Sequence, residues 1–185
     1  AQLRDPAIAP NAGHLALAEL EAGWQGEFLL VTQNVDNLHE RAGSKRLLHM
    51  HGELQSMLCS NSQQRFPLLD DMPVSQACAC CGLVGTLRPD IVWFGEMLDP
   101  TALEDAAAAA EGCDVMLVVG TSGLVYPAAG LPAGARRAAS CGACSPPIEC
   151  PSRRSERTST GQSAHRASSF PDSARPLSAI ASPVL

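Results

Sequence analysis

FLLVTQNVDNLHERAGSKRLLHMHGEL, residues 28–54, passes from an apolar run to a polar loop and back to an apolar run. Phe28-Leu29-Leu30-Val31 is short and rich in large aliphatics, as a buried strand is. It breaks off into Thr32-Gln33-Asn34-Val35-Asp36. In an open α/β sheet, ligands sit in the crevice beyond the carboxyl ends of the strands. Amides and a carboxylate at such an edge can hydrogen-bond a sugar or a carboxamide, although an Asn/Asp cluster after a strand is also ordinary turn chemistry. A second strand is expected over Leu47-Leu48-His49-Met50-His51, ahead of Gly52. Period-two alternation puts Leu48 and Met50 on one face and His49 and His51 on the other. A histidine at such an edge is a candidate general base, because imidazole titrates near neutral pH.

Outward from this stretch the text keeps an α/β rhythm. Before it, Asn11 is placed to cap a helix over about 12–22 that Gly23 ends. After it, Ile91-Val92-Trp93-Phe94-Gly95-Glu96 reads as a strand ending in a glycine turn. Asp99-Pro100 reads as the cap and first residue of an alanine-rich helix over 101–111. Val115–Val119 then suits a parallel-sheet strand, and it runs into Gly120-Thr121-Ser122-Gly123. Such a small-residue loop lets backbone amides and hydroxyls come close to a phosphate.

Between these parts lies a polar insertion carrying Cys59, Cys78, Cys80 and Cys81. Four thiols in one short insertion point to a structural metal site in a reducing compartment, with a metal-free insertion as the alternative. No neighbouring His-Glu pair suggests an activated water, so a metal here would hold a lobe together.

The words themselves carry a resemblance. TQNVDNLHERAG followed by HMHGEL resembles the sirtuins, the NAD-dependent protein-lysine deacylases, and particularly their bacterial CobB-type branch. PNAGHLALAEL is similar to the family's P-N-x-x-H-x-A-L helix, LRPDIVWFGE to its LRPxVVWFGE segment, and GTSGLVYPA to its GTSxxVxPA loop. The resemblance implies an α/β fold: a partial Rossmann-like, doubly wound parallel sheet with a small zinc-binding insertion lobe. It implies His51 as the catalytic base. Gln33, Asn34, Val35 and Asp36, with Gly120, Thr121 and Ser122, would bind NAD. Val92, Phe94 and Gly95 would line the cleft for an acyl-lysine peptide, which adds itself as a strand. For zinc it implies Cys59 and Cys78 first, then Cys81 and Cys80. Most sirtuins supply two Cys-x-x-Cys pairs, whereas Ser62 stands here where the second thiol of the first pair falls.

The similarity runs from Gln2 to about Ala139. The family's glycine-rich opening, G-A-G-x-S then G-I-P-x-F-R, has no counterpart, and the first residue is Ala1 rather than Met. The expectation is therefore residues 1–139 as an incomplete catalytic domain, with the zinc lobe inserted at about 55–88. Residues 140–185 are rich in Ser, Pro and Arg, without apolar periodicity, and are expected to be a disordered tail produced by a frameshift or an alternative end. Cys141, Cys144 and Cys150 lack the partner histidines of a metal knuckle.

Charge narrows the function classes. The net charge is -6, but residues 1–137 hold 8 Lys/Arg against 16 Asp/Glu, and residues 138–185 hold 5 against 3. An acidic body disfavours a nucleic-acid surface and suits a basic, lysine-containing peptide. No apolar run reaches membrane-spanning length. A cytoplasmic monomer is the expectation, either an NAD-dependent deacylase or a catalytically inactive fragment that binds peptide or zinc. A hydride-transferring dehydrogenase is disfavoured, since no G-x-G-x-x-G follows an early strand.

Overall fold

Alternate residues of the strand Phe28–Thr32 (β1) enter two separate cores, and this makes the molecule layered. Phe28 and Leu30 pack with Leu17 and Leu177, whereas Val31 packs with Met50, Ala106, Ala110, Ala128 and Leu131. A strand buried on both faces belongs to a parallel sheet covered by helices on each side. The structure, a computed structural model, describes residues 8–68, 71, 73, 75–140 and 176–181.

The remaining elements follow in order. They are helix α1 (Ala12–Gly23), helix α2 (Leu38–Ala42), strands β2 (Leu47–His49), β3 (Gly52–Cys59), β4 (Arg65–Pro67) and β5 (Leu87–Ile91), helix α3 (Pro100–Gly112), strand β6 (Val115–Val119), helix α4 (Leu131–Ser140) and strand β7 (Leu177–Ala181). The caps are those expected. Asn11 Oδ1 accepts from the amides of Gly13 and His14, and Asp99 accepts from Thr101 N with Pro100 at the first turn. Ala106 and Ala110, four apart, give α3 a small-residue stripe that packs closely on the sheet.

The larger sheet has the order β2-β1-β7-β6, every pair parallel. Its register aligns Thr32 with His49 and Ala181, and Ala181 with Val119. All four carboxyl ends therefore open on one edge, where the loops after β1 and β6 emerge. The smaller sheet, β4-β3-β5, is antiparallel and makes up the insertion lobe. Arg65 joins that lobe to the α3 cap, its Nε donating to Asp90 at 2.9 Å and its Nη2 to Asp99 at 3.0 Å.

Three sequence expectations are corrected. The strand expected over Leu47–His51 ends at His49, and Met50 and His51 form the turn into β3. The strand expected over Ile91–Glu96 lies earlier, at Leu87–Ile91, and Val92 onward leaves the ladder. Pro89 fits there because β5 is an edge strand with one ladder partner. Disorder was expected throughout 140–185, yet Leu177–Ala181 is a strand flanked by β1 and β6, with Leu177 3% exposed. Hydrogen-bonded neighbours on both sides stabilise a short run that composition alone does not mark. Residues 141–175 and 182–185, including Cys141, Cys144 and Cys150, lie outside the described residues, as do residues 1–7 of the expected opening loop. Among the described residues, no helix is long and apolar enough to cross a membrane.

Candidate active site

The loops leaving β1 and β6 meet through one side-chain contact: Gln33 Nε2 donates to Thr121 Oγ1 at 3.3 Å. Thr121 Oγ1 also accepts from Gly123 N at 3.2 Å, which tightens the small-residue loop. Gly120 and Gly123 both have positive φ, +69° and +65°, a backbone that side-chain-bearing residues rarely adopt. This explains why small residues leave β6.

His51 enters from the β2–β3 turn. Its Nδ1 donates to the Gln33 carbonyl at 3.1 Å. A neutral ring with its proton on Nδ1 leaves Nε2 as the lone-pair nitrogen, the state a general base requires. Val92 N donates to the His51 carbonyl at 2.9 Å, so the segment after β5 is stitched to the same turn. Gln33, His51, Val92, Phe94, Gly95 and the Gly120–Ser122 loop converge on one cavity of about 720 Å³. That volume lies within the usual range for small-molecule and cofactor sites.

Not every expected residue reaches this cavity. Asn34, Val35 and Asp36 do not line it. Asn34 is buried, with Oδ1 lacking any partner, and Asp36 caps the start of α2 by accepting from Leu38 N at 3.0 Å. A buried amide oxygen without a partner is costly to keep, as polar groups at ligand sites often are. Sequence reasoning missed the apolar wall of the cavity, made by Trp93, Met97, Leu103, Val125 and Tyr126. Phe94 and Met97 are almost fully exposed, and Leu124 and Tyr126 largely so. Large apolar residues beside loop glycines were the available signal.

The four insertion cysteines also converge. Their sulfurs lie within 4.8 Å of one another. Cys59 and Cys81 are separated by 3.8 Å and Cys78 and Cys80 by 3.1 Å, with Ser62 Oγ at 3.0 Å from Cys80. A tetrahedron with Zn–S bonds of about 2.3 Å has edges of about 3.8 Å, so the set fits a structural zinc ion with little movement. The thiols divide electrostatically. Hydrogen bonding centred on Ser62 lowers the Cys59 pKa to about 5. For Cys80 the Ser62 hydroxyl acts in the same sense, but Cys78 and Cys59 outweigh it and push the pKa up to about 12. Crowded thiols cannot all ionise without a cation among them.

Comparison with known proteins places this geometry. The family described as the Sir2 family matches residues 1–127. The chain belongs to the Sir2 family. A relative from Bdellovibrio bacteriovorus, named NAD-dependent protein deacylase, is 57% identical over 130 residues, which is 70% of this chain and 54% of the relative. The crystal structure of a Sir2 homolog–NAD complex superposes with a TM-score of 0.62 at 43% identity, covering 70% of this chain and 50% of that one. A structure described as Sir2-p53 peptide-NAD+ gives 0.60 at 35% identity, covering 71% and 56%. This Sir2 chain thus spans about half the length of the curated relatives it matches.

Proposed function

We propose that the chain carries the base, nicotinamide-side and peptide-side residues of an NAD-dependent protein-lysine deacylase. Residues 1–139 are the catalytic portion in this reading, with the zinc lobe inserted at about 55–88. The observation that carries it is the convergence of Gln33, His51 and Thr121, from three different loops, on one cavity. NAD, when bound, supplies an activated ribose carbon that accepts the acyl oxygen as nicotinamide leaves.

The chain's own residues do the rest. Gln33 meets the nicotinamide and its ribose in the cavity, while Asn34, Val35 and Asp36, which do not line it, shape the β1 loop behind Gln33. Gly120, Thr121 and Ser122 face phosphate and ribose with small side chains and hydroxyls. His51 Nε2, kept as a lone pair by the Nδ1 bond to Gln33, takes a proton from a ribose hydroxyl. Val92, Phe94 and Gly95 line the groove for an extended acyl-lysine peptide, and the exposed apolar rim covers the lysine stem. Cys59, Cys78, Cys81 and Cys80 hold a zinc ion that braces the small lobe. No nucleic acid enters this reading, and a monomer working in the cytoplasm goes with it.

The convergence of the four insertion cysteines, which needs no catalysis, favours a second reading, a catalytically inactive module that binds peptide or zinc. An acyl-lysine peptide assay on the full chain, with and without NAD, separates the two. NAD-dependent turnover that falls about 100-fold or more in His51→Ala supports the enzyme. Absence of turnover and of NAD binding, with peptide or zinc still held, supports the module. Metal analysis of the same sample should find about one zinc per chain, and fewer in Cys59→Ala.

A further inference from the structure

Two residues before the proposed base, a second histidine is built into the same turn. His49 Nδ1 faces the Asn34 carbonyl at 3.0 Å, and its Nε2 faces Glu40 Oε1 at 2.8 Å. Both ring nitrogens thus point at acceptors, and a neutral imidazole has one N–H to give. Only the doubly protonated ring satisfies both contacts. We infer that His49 is a positioning residue, an imidazolium clasp that ties Glu40 on α2 to the Asn34 carbonyl and so fixes the cofactor-facing loop after β1. This inference rests on the deacylase reading for its functional consequence, but not for its geometry.

The clasp closes on the loop from both ends. Asn34 stands at its start and Glu40 beyond its end, so one side chain spans the whole turn. Consecutive carbonyls are gripped by histidines two apart, Gln33 by His51 and Asn34 by His49. The next carbonyl, Val35, accepts from Leu54 N at 2.8 Å. Three successive carbonyls of the loop are therefore fixed against the β2–β3 segment. Charge-assisted bonds are stronger than neutral ones, so the contact to Glu40 holds the ring that holds the loop.

The surrounding charges agree with an imidazolium. Burial works against the charge on His49, but the bond to Glu40, the Asn34 carbonyl and the nearby Glu53 outweigh it and hold its pKa above the ordinary value. Glu40 is held below its ordinary value, burial again being outweighed by His49. On the α2 side the other titratable neighbour is His39, which is coupled to both Glu40 and His49. The clasp is complete while His49 is charged and loses one of its two contacts as pH rises through its elevated pKa.

The test uses the full chain and three variants: His49→Ala, His49→Asn, whose amide nitrogen takes the place of Nδ1, and Glu40→Gln. Histidine nitrogen NMR should find both His49 nitrogens protonated at neutral pH, with a midpoint that drops in Glu40→Gln. Amide exchange at Leu38 and Leu54 should speed up about tenfold in His49→Ala, the loss of one charge-assisted bond, while Leu30 in β1 stays unchanged. His49→Asn, which keeps a donor for the Asn34 carbonyl but loses the Glu40 bond, should restore it only in part and without pH dependence. With turnover, His49→Ala should raise the KM for NAD about tenfold and leave the KM for peptide within about twofold, and Glu40→Gln should move the alkaline limb to lower pH. A neutral His49, unchanged exchange in His49→Ala, or full rescue by the neutral His49→Asn overturns the clasp. If the wild-type chain neither binds NAD nor turns over, the deacylase reading fails, and exchange with NMR still decides the clasp.

Discussion

Gly52 shows how much of the site is fixed by single residues. It sits at φ +77°, and a Cβ built there would collide with the Asp90 carbonyl on the adjacent β5 strand. The turn that presents His51 ends at this residue, so the glycine sets both the backbone sign and the closeness of the two strands. Gly52→Ala should lower stability by about 2 kcal/mol or more, read from the denaturant midpoint, with proposed NAD-dependent turnover falling even in the folded fraction. A variant as stable as the parent would show that β3 and β5 can part freely. At this scale the sequence is informative where chemistry is local: a glycine after a histidine, and amides after a strand. It is silent on direction. Gln33 reaches the cavity and Asn34 does not line it, although they are adjacent, because strand pleat and loop curvature decide where each points. The clasp by His49 was equally hidden, since its partners Asn34 and Glu40 come from outside its own strand.

Elements were readable in proportion to their internal pattern. Asn11 and Asp99 cap helices as their positions suggest, and the apolar run Val115–Val119 is a strand over its whole length. Strand β7 had no such pattern to offer, because Pro, Ser and Arg surround it. Its place is decided by what lies on either side: β1 and β6 each hydrogen-bond it along five residues. The same non-local effect moved β5 earlier, to where β3 offers an antiparallel partner. Since β7 separates β1 from β6, the Gln33–Thr121 contact depends on it even though β7 contributes nothing to that contact. Leu177, buried with Phe28, Leu30 and Leu17, is the described side chain through which this can be tested. Leu177→Ala should cost about 3 kcal/mol in urea unfolding, near the middle of the range for buried leucines. A cost near zero would mean that β7 leaves the sheet in solution, and the β1 and β6 loops would then lose their spacing.

The whole molecule places two histidines with opposite titration behaviour in the layer beside the site, and their balance sets how stability depends on pH. His39 is buried between α1 and α2, its ring 4.5 Å from that of His14 and both its nitrogens without partners. Burial first, then His14, lower its pKa below 6.5, against smaller opposing effects of Asp36 and Glu40. As pH falls below 6.5 the unfolded chain takes up a proton at this residue that the folded chain resists, so stability drops on the acid side. His49 behaves in the opposite sense. Its contribution is fully present below 6.5 and fades as pH rises through its elevated folded pKa. Glu40, held low, adds a loss only at more acid pH than His39 does. Stability should therefore peak near pH 6.5, with separable limbs. Thermal melts of the full chain across pH should show Tm falling from 6.5 towards about pH 5, and His39→Leu, which keeps the burial and removes the titration, should flatten that limb while leaving the alkaline one. Glu40→Gln should flatten the alkaline limb and, by removing a charge that opposes the lowering of His39, deepen the acid one. Neither limb could be read from an acidic composition, because both arise from which helix covers which imidazole. An acid limb that survives in His39→Leu would assign the loss to carboxylates elsewhere and remove His39 from the balance.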